Sequence, residues 1–317
     1  MFSLRPTSNV AEITFNATFN SSLRRTPTFP ARLTLLRFVE PRLPQVQDPF
    51  YDVHKGVLLQ GDAEVPVAIK ILRTSMDEEK ITSMREHYLR EISTQEFLGP
   101  DYPYITEVMG TATVEGKPAI VMRWYTNGDA AQYTGANSHT PVESIIGIVQ
   151  GVKYFHTKSP RLVHGDLKPS NIVVDDNGRV LISGLGSAHV PGSTEFTTGQ
   201  ISTAFRWMAP ELLHEDDRPP TPTFQSDMWA LGCTIAQLIS GKVPYQSRRY
   251  TPQVIPMIAK GVLPYNKARF TEAADMRGVI QSEELWQVLE RCWELDPTRR
   301  PTITQFEASL QGVFGVT

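Results

Sequence analysis

The sequence predicts an α+β fold in two lobes: a small antiparallel-sheet lobe with one main helix, then a larger, mainly helical lobe. Three observations carry this expectation. Strand-like runs separated by turn signals occupy residues 37–123. Apolar residues at helical spacing dominate residues 124–317. The change of character falls on one short stretch, Trp124 to Gly128, placed to link the two. Residues 1–36 stand apart, rich in Ser, Thr, Asn and Pro and without a sustained period, and read as a flexible N-terminal extension. Within it "SLRRTPTFP" reads as plain disordered tail or as a phosphorylation or docking segment.

The elements follow in order. "DVHKGVLL" and "VPVAIKIL" alternate as strands and flank Gly61-Asp62, a hairpin turn signal. The charged, amphipathic stretch "MDEEKITSMREHYLREISTQEFL" reads as one or two helices. "YITEVMGTATV" and "PAIVMRWY" bracket a second hairpin signal, Glu115-Gly116. After Asn127-Gly128, "PVESIIGIVQGVKYFHTK" has helical spacing, with Pro141 suited to the first turn. "NIVVD" and "RVLIS" are short strands joined by the tight-turn signal Asp176-Asn177-Gly178. Residues 187–206 read as a long loop. "FQSDMWALGCTIAQLISG" is an apolar helix that stops at Gly241. "TPQVIPMIAKG", "SEELWQVLERCWEL" and "TITQFEASLQGVF" supply three more helical segments. There is no internal repeat.

Bulk properties exclude some functions. The chain has 317 residues, ample for a core. Its net charge of −3 gives no electrostatic case for nucleic acid or an anionic membrane. No apolar run is long enough for a transmembrane helix, and the N-terminus lacks the apolar core of a secretory signal. Cys233 and Cys292 lie in apolar helical patterns and read as buried free thiols of a reducing compartment, so a cytoplasmic location is expected. In that setting the sequons at Asn16 and Asn20 carry no meaning.

Two motifs carry chemistry. "HGDLKPSN" places Asp166, Lys168 and Asn171 in a loop between a helix and a hairpin. Phosphoryl transfer wants an Asp to accept a hydroxyl proton, a cation to steady the transferring group and an Asn to hold a metal. In "VPVAIKIL", alternation puts Val67, Ile69 and Ile71 on one face and Ala68, Lys70 and Leu72 on the other. Lys70 either snorkels to solvent or clamps nucleotide phosphates while paired to a helix carboxylate. Glu91 is a plausible partner, and Glu86 and Glu96 compete with it.

On these residues the chain resembles a eukaryotic protein kinase domain over residues 45–313. "VAIK" resembles the strand-lysine motif, "HGDLKPSN" the catalytic loop and "MAPE" the end of the activation segment. "SDMWALGC" resembles the buried helix whose Asp227 braces the catalytic loop, and "CWELDPTRRPT" carries Arg300, the partner of Glu211. "RWMAPE" and the "CWxxDPxxRPT" wording are most similar to the tyrosine-kinase-like group. Lys168 in "DLKPSN" points to the serine/threonine side. The resemblance implies the bilobal protein-kinase fold, with Met122 as gatekeeper and Arg123–Tyr125 as hinge. It implies that ATP would meet Lys70, Glu91, Val53, Ala68, Met122 and Trp124. It makes Asp166 the general base and His156 and His164 structural.

The chain departs from the family pattern in three places. Aligning "DVHKG" with the family's "xVYKG" puts the three glycine positions of the phosphate loop at Val46, Asp48 and Tyr51, with Phe50 at the tip. Glycines let the backbone approach phosphates. Val46 and Tyr51 bring bulk, Asp48 negative charge, and Pro49 removes a donor. Gly165 replaces the Arg that reads a phosphate on the activation loop, so switching through Ser193, Thr194, Thr197 or Thr198 is not expected. The metal-binding Asp becomes Gly184, in Gly184-Leu185-Gly186. A shift by one puts Ser183 there but loses the Gly. Mg²⁺ prefers a carboxylate, which leaves Asn171 as a weak, neutral ligand. Even a quarter of the lost Coulomb attraction, about 2 kcal/mol, is more than tenfold in rate. Asp175 and Asp176 lie about 13–17 Å from Asn171 along an extended strand, too far to substitute.

Three functions are consistent with this pattern. The first is a pseudokinase, a kinase-fold signalling protein that acts by binding protein partners, with weak ATP binding and without Mg²⁺. The second is an active ATP-dependent serine/threonine kinase with atypical metal use. The third is a nucleotide-binding switch without transfer.

Overall fold

The computed structural model describes residues 10–11, 35–39, 46–47, 50–60, 62–73, 78–99, 102–136, 141–191, 205–213 and 221–315. The chain divides into two compact units, Met1–Tyr88 with Thr106–Trp124, and Leu89–Ile105 with Tyr125–Thr317.

The first unit is built on an antiparallel sheet. Its strands are β1 (Val10–Ala11), β2 (Leu35–Phe38), β3 (Val46–Gln47), β4 (Tyr51–Gln60), β5 (Ala63–Leu72), β6 (Val108–Val114) and β7 (Lys117–Arg123). The spatial order is β1-β2-β4-β5-β7-β6, with β3 pairing to the start of β4. Helix α1 (Glu78–Leu98) follows β5 as a single helix, its residues from Leu89 on belonging to the second unit. Gln60 pairs with Ala63, so β4 and β5 are joined by a two-residue hairpin turn. That turn fixes the register: Val53 faces Lys70 and Tyr51 faces Leu72. Leu36, Leu58, Val67, Ile69, Ala119 and Val121 form one apolar cluster, while Ala68 and Lys70 alternate onto the half-buried opposite face.

Two features differ from the sequence expectation. β2 begins at Leu35, inside the stretch read as extension, and Val10–Ala11 pairs with it antiparallel. A sheet edge offers unpaired N–H and C=O groups, so a short segment adds to it without needing a periodic pattern of its own. The rest of residues 1–34 lies outside the described residues, as do Asp48 and Pro49.

The second unit contains α2 (Ala130–Ala136), α3 (Val142–Thr157), β8 (Ile172–Val174), β9 (Val180–Ile182), α4 (Phe224–Ser240), α5 (Ile255–Ala259), α6 (Lys267–Met276), α7 (Ser282–Cys292) and α8 (Ile303–Phe314). Helix α3 buries Ile145, Ile148, Val149, Val152 and Phe155, the stripe its spacing predicts. Helix α4 starts with a reciprocal capping box between Thr223 and Ser226, and thirteen of its seventeen residues are buried. A helix apolar all round belongs at the centre of a core, and α4 runs through the main apolar cluster with α3, α6, α7 and α8. It ends at Gly241, as its sequence indicates. "TPQVIPMIAKG" divides into a 3-10 turn, Thr251–Gln253, and the short α5, with Pro256 in the first turn of α5. β8 and β9 pair as a hairpin whose turn is held by Asp175, which accepts hydrogen bonds from the backbone N–H groups of Asn177 and Arg179.

Candidate functional site

The segment 163–171 lies between α3 and β8 and is held from both sides. Val163 and His189 exchange backbone hydrogen bonds of 2.9 and 3.0 Å. From the first turn of α4, the Asp227 carboxylate, 1% exposed, accepts from His164 N (2.8 Å), Gly165 N (2.9 Å) and His156 Nε2 (2.9 Å). Burial alone would raise the Asp227 carboxyl, but the His156 hydrogen bond and the nearby His156 and His164 rings hold it below the usual carboxylate range. His164 is fully buried, and desolvation lowers its pKa below the usual histidine value, so the ring is neutral at pH 7. Its Nδ1 accepts from Asp166 N at 3.2 Å, which leaves the ring hydrogen on Nε2 to donate to Ser183 O at 3.0 Å.

This frame brings Asp166, Lys168 and Asn171 together. Asp166 Oδ2 accepts from Lys168 Nζ at 2.7 Å and from Asn171 Nδ2 at 2.8 Å. Asn171 Nδ2 also donates to Asp166 O at 2.8 Å. Lys168 and Asn171 are each 7% exposed, so these are desolvated, charge-assisted contacts. The arrangement presents one carboxylate beside one ammonium, the chemistry of a positioned base next to a cation.

Position 184, where the family pattern would put a metal-binding Asp, is different. Gly184 follows β9 with a left-handed backbone, φ 75°. A Cβ added there would lie 2.6 Å from Asn171 Cγ and 2.7 Å from Asn171 Nδ2 and Oδ1. The asparagine amide thus fills the space that a side chain at position 184 would use. Ser183, the one-residue alternative, points its hydroxyl at Asn171 O at 3.2 Å. Asp175 is occupied by Arg179 Nε at 2.7 Å, and Asp176 accepts from the Thr126 hydroxyl. Among the described residues no three His, Cys, Asp or Glu side chains gather to hold a metal. A hard divalent cation needs anionic oxygen, and the one carboxylate here is already paired to Lys168. These residues do not fit Mg²⁺.

Gly165 is likewise more than a missing arginine. Its φ is 77°, and an added Cβ would stand 2.7 Å from the backbone oxygen of Ser187. A larger residue is refused by both conformation and space.

In the sheet unit the register puts Val53, Ala68, Lys70 and Met122 on one face: Val53 faces Lys70, Lys70 faces Ile120, and Ala68 faces Met122. Trp124, just past β7, donates its N–H to Pro66 O and carries Lys55 Nζ over its ring at 5.2 Å. The ammonium of Lys70 lies 4.4 Å from the centre of the Tyr51 ring. Neither of the two readings of Lys70, solvent or phosphate, anticipated an aromatic partner. The signal was available: the turn after Gln60 places Tyr51 and Lys70 diagonally on one face of β4 and β5, within reach of an aromatic and a long side chain. Of the three carboxylates considered on α1, Glu91 is fully buried, Glu86 half-buried and Glu96 exposed.

Glu211 and Arg300 form a two-pronged pair, Nη1 to Oε1 at 2.6 Å and Nη2 to Oε2 at 2.7 Å. Arg300 also donates to Gln225 O and Glu294 O and lies against the Trp229 ring. One guanidinium therefore ties the 210–213 turn, α4 and the approach to α8 together.

Residues 54–309 match the family described as protein kinase domain. The serine/threonine-protein kinase STY46 of Arabidopsis thaliana is 25% identical over 270 residues, covering 83% of this chain and 42% of that protein. Mitogen-activated protein kinase kinase kinase 5 of Arabidopsis thaliana is 28% identical over 210 residues, 63% of this chain and 27% of that protein. Receptor-interacting serine/threonine-protein kinase 1 of Homo sapiens is 26% identical over 226 residues, 64% of this chain and 31% of that protein. The chain thus spans less than half the length of each of these relatives.

Proposed function

The chain belongs to the protein kinase domain family, and from that premise we propose that it acts by binding protein partners rather than by transferring phosphate from Mg-ATP. Its sheet unit and helical unit correspond to the two lobes of the α+β protein-kinase fold. One observation carries the reading: the metal position is Gly184, and the Asn171 amide occupies the room a carboxylate would need. Asp227, His164, Glu211 and Arg300 brace the loop and the helical core around it, so the scaffold persists where the metal ligand is gone. Signalling through protein contacts in the cytoplasm fits two buried free cysteines and the absence, among the described residues, of a helix long and apolar enough to cross a membrane.

The test is transfer of labelled γ-phosphate to a generic protein substrate by the purified chain. The proposal expects none above the level of Asp166→Asn, and transfer that Asp166→Asn abolishes contradicts it.

A second reading has its own support. The Asp166, Lys168 and Asn171 contacts of 2.7–2.8 Å are those an active serine/threonine kinase would want, and two of the relatives above carry that activity in their names. That reading requires a metal held without a carboxylate at position 184. It expects Mn²⁺- or Mg²⁺-dependent transfer in the same assay.

A further inference from the structure

Phe50, just before β4, and Tyr51 and Asp52, the first two residues of β4, are all fastened to neighbours. Phe50 stacks on His87 of α1, with ring centroids 4.0 Å apart and an interplanar angle of 13°. Tyr51 places its ring beneath the Lys70 ammonium at 4.4 Å. Asp52 accepts from Arg73 Nε and Nη2 at 2.9 and 2.8 Å. The backbone joins in, with Arg73 N donating to Phe50 O at 2.8 Å. Tyr51 is 1% exposed and also touches the His87 ring at a centroid distance of 5.9 Å. All of these groups belong to the sheet unit.

Lysine on an interior strand face needs a counterpart that favours its charge. An aromatic face supplies one through its quadrupole, and more strongly when water is excluded. A buried tyrosine ring meets that condition. Phosphate oxygens would satisfy the same ammonium, but with the Tyr51 ring already against it they gain less there than at a lysine that faces only water.

We propose that Tyr51 is a built-in occupant of Lys70, and that Phe50, Tyr51 and Asp52 form a clasp fixing the start of β4 to α1 and β5 without a polyphosphate ligand. The clasp goes beyond the binding-only reading and rests on it in one respect: Lys70 is taken to serve the fold rather than a nucleotide. Tyr51 then sets ligand class. It disfavours a triphosphate at Lys70 and does not oppose an uncharged ligand elsewhere on the Val53, Ala68 and Met122 face.

The experiment is a double-mutant cycle on the full chain, combining Tyr51→Leu with Lys70→Met and reading urea unfolding. Coupling of about fivefold in the unfolding constant is expected for a desolvated cation–π pair. Tyr51→Phe should keep that coupling, because it keeps the ring. Single effects that simply add overturn the proposal. If Tyr51→Leu does not fold, progressively fluorinated phenylalanines at position 51 keep the shape while draining the ring of negative charge. Stability should then fall stepwise with fluorine number, and a flat series overturns the proposal. In EDTA, millimolar ATP should raise the melting temperature of Tyr51→Gly and not that of the wild type, and equal shifts in both contradict it. Phosphate transfer by the wild type would sink the binding-only reading, whereas additive cycles or a flat fluorine series would sink the clasp alone.

Discussion

Asn171 fills the space above Gly184: a Cβ at residue 184 would lie 2.6 Å from Asn171 Cγ. The asparagine is held there by two hydrogen bonds from its amide nitrogen to Asp166. The space that a side chain at position 184 would take is therefore packed, not open.

Gly184→Asp should destabilise rather than restore. The substitution forces a side chain into a left-handed backbone and against Asn171, at a cost of about 2 kcal/mol. Urea unfolding should report that loss, and labelled-phosphate transfer should stay at background. Recovered activity with unchanged stability would contradict the packing described.

Gly165→Arg should behave in the same way for a different reason. Here the obstacle is the backbone oxygen of Ser187, 2.7 Å from the new Cβ, which cannot rotate aside. A destabilisation of about 2–3 kcal/mol is expected from strain and displacement together. A variant as stable as the wild type would show that the loop adapts.

Arg300→Ala should be among the more damaging single changes in the helical unit. It strands Glu211 and leaves two backbone carbonyls without their donor. Removing one partner of a buried pair costs about 3–5 kcal/mol. Glu211→Gln, which keeps a neutral acceptor, should cost clearly less, and equal losses would argue against charge as the cause.

Acid should weaken the fold in two stages. Burial lowers the pKa of both His164 and His189, so below about pH 6.5 the unfolded chain binds protons that the folded chain refuses. Their contribution is full above that pH and is lost as pH falls. Asp227, also depressed, adds a second loss at lower pH, starting near the usual carboxylate value of about 4. Burial raises the carboxyls of Glu96, to about 7, and of Asp129, which acts in the opposite sense, so in a Glu96→Gln, Asp129→Asn background the urea midpoint should be flat from neutral to mildly alkaline pH and decline below pH 6.5. A midpoint that rises on acidification contradicts the neutral, buried assignment of these rings.

Much of the molecule was legible in the sequence because local rules and tertiary packing agree there. The turn after Gln60, the helical stripe of α3 and the stop at Gly241 are written in residues whose chemistry permits little else. Asp166, Lys168 and Asn171 sit within one short loop, so their meeting needed only that the loop be held. Helices α2 and α6 were not legible. α2 has seven residues including a glycine, and α6 buries only Phe270 and Ala274, too few to set a period. The strand Val10–Ala11 owes its existence to an edge supplied by residues 35–38, which no local pattern encodes. In the sequence alone Tyr51 shows only as bulk at a glycine position. Its contact with Lys70 depends on register, a property of two strands rather than of either.

On the proposed reading this chain does not hold Mg-ATP. The most direct test is the melting temperature of the wild-type chain with millimolar ATP, alone and with added Mg²⁺ or Mn²⁺. No appreciable metal-dependent rise is expected. A clear rise that requires the metal, and that Asn171→Ala removes, would contradict that reading.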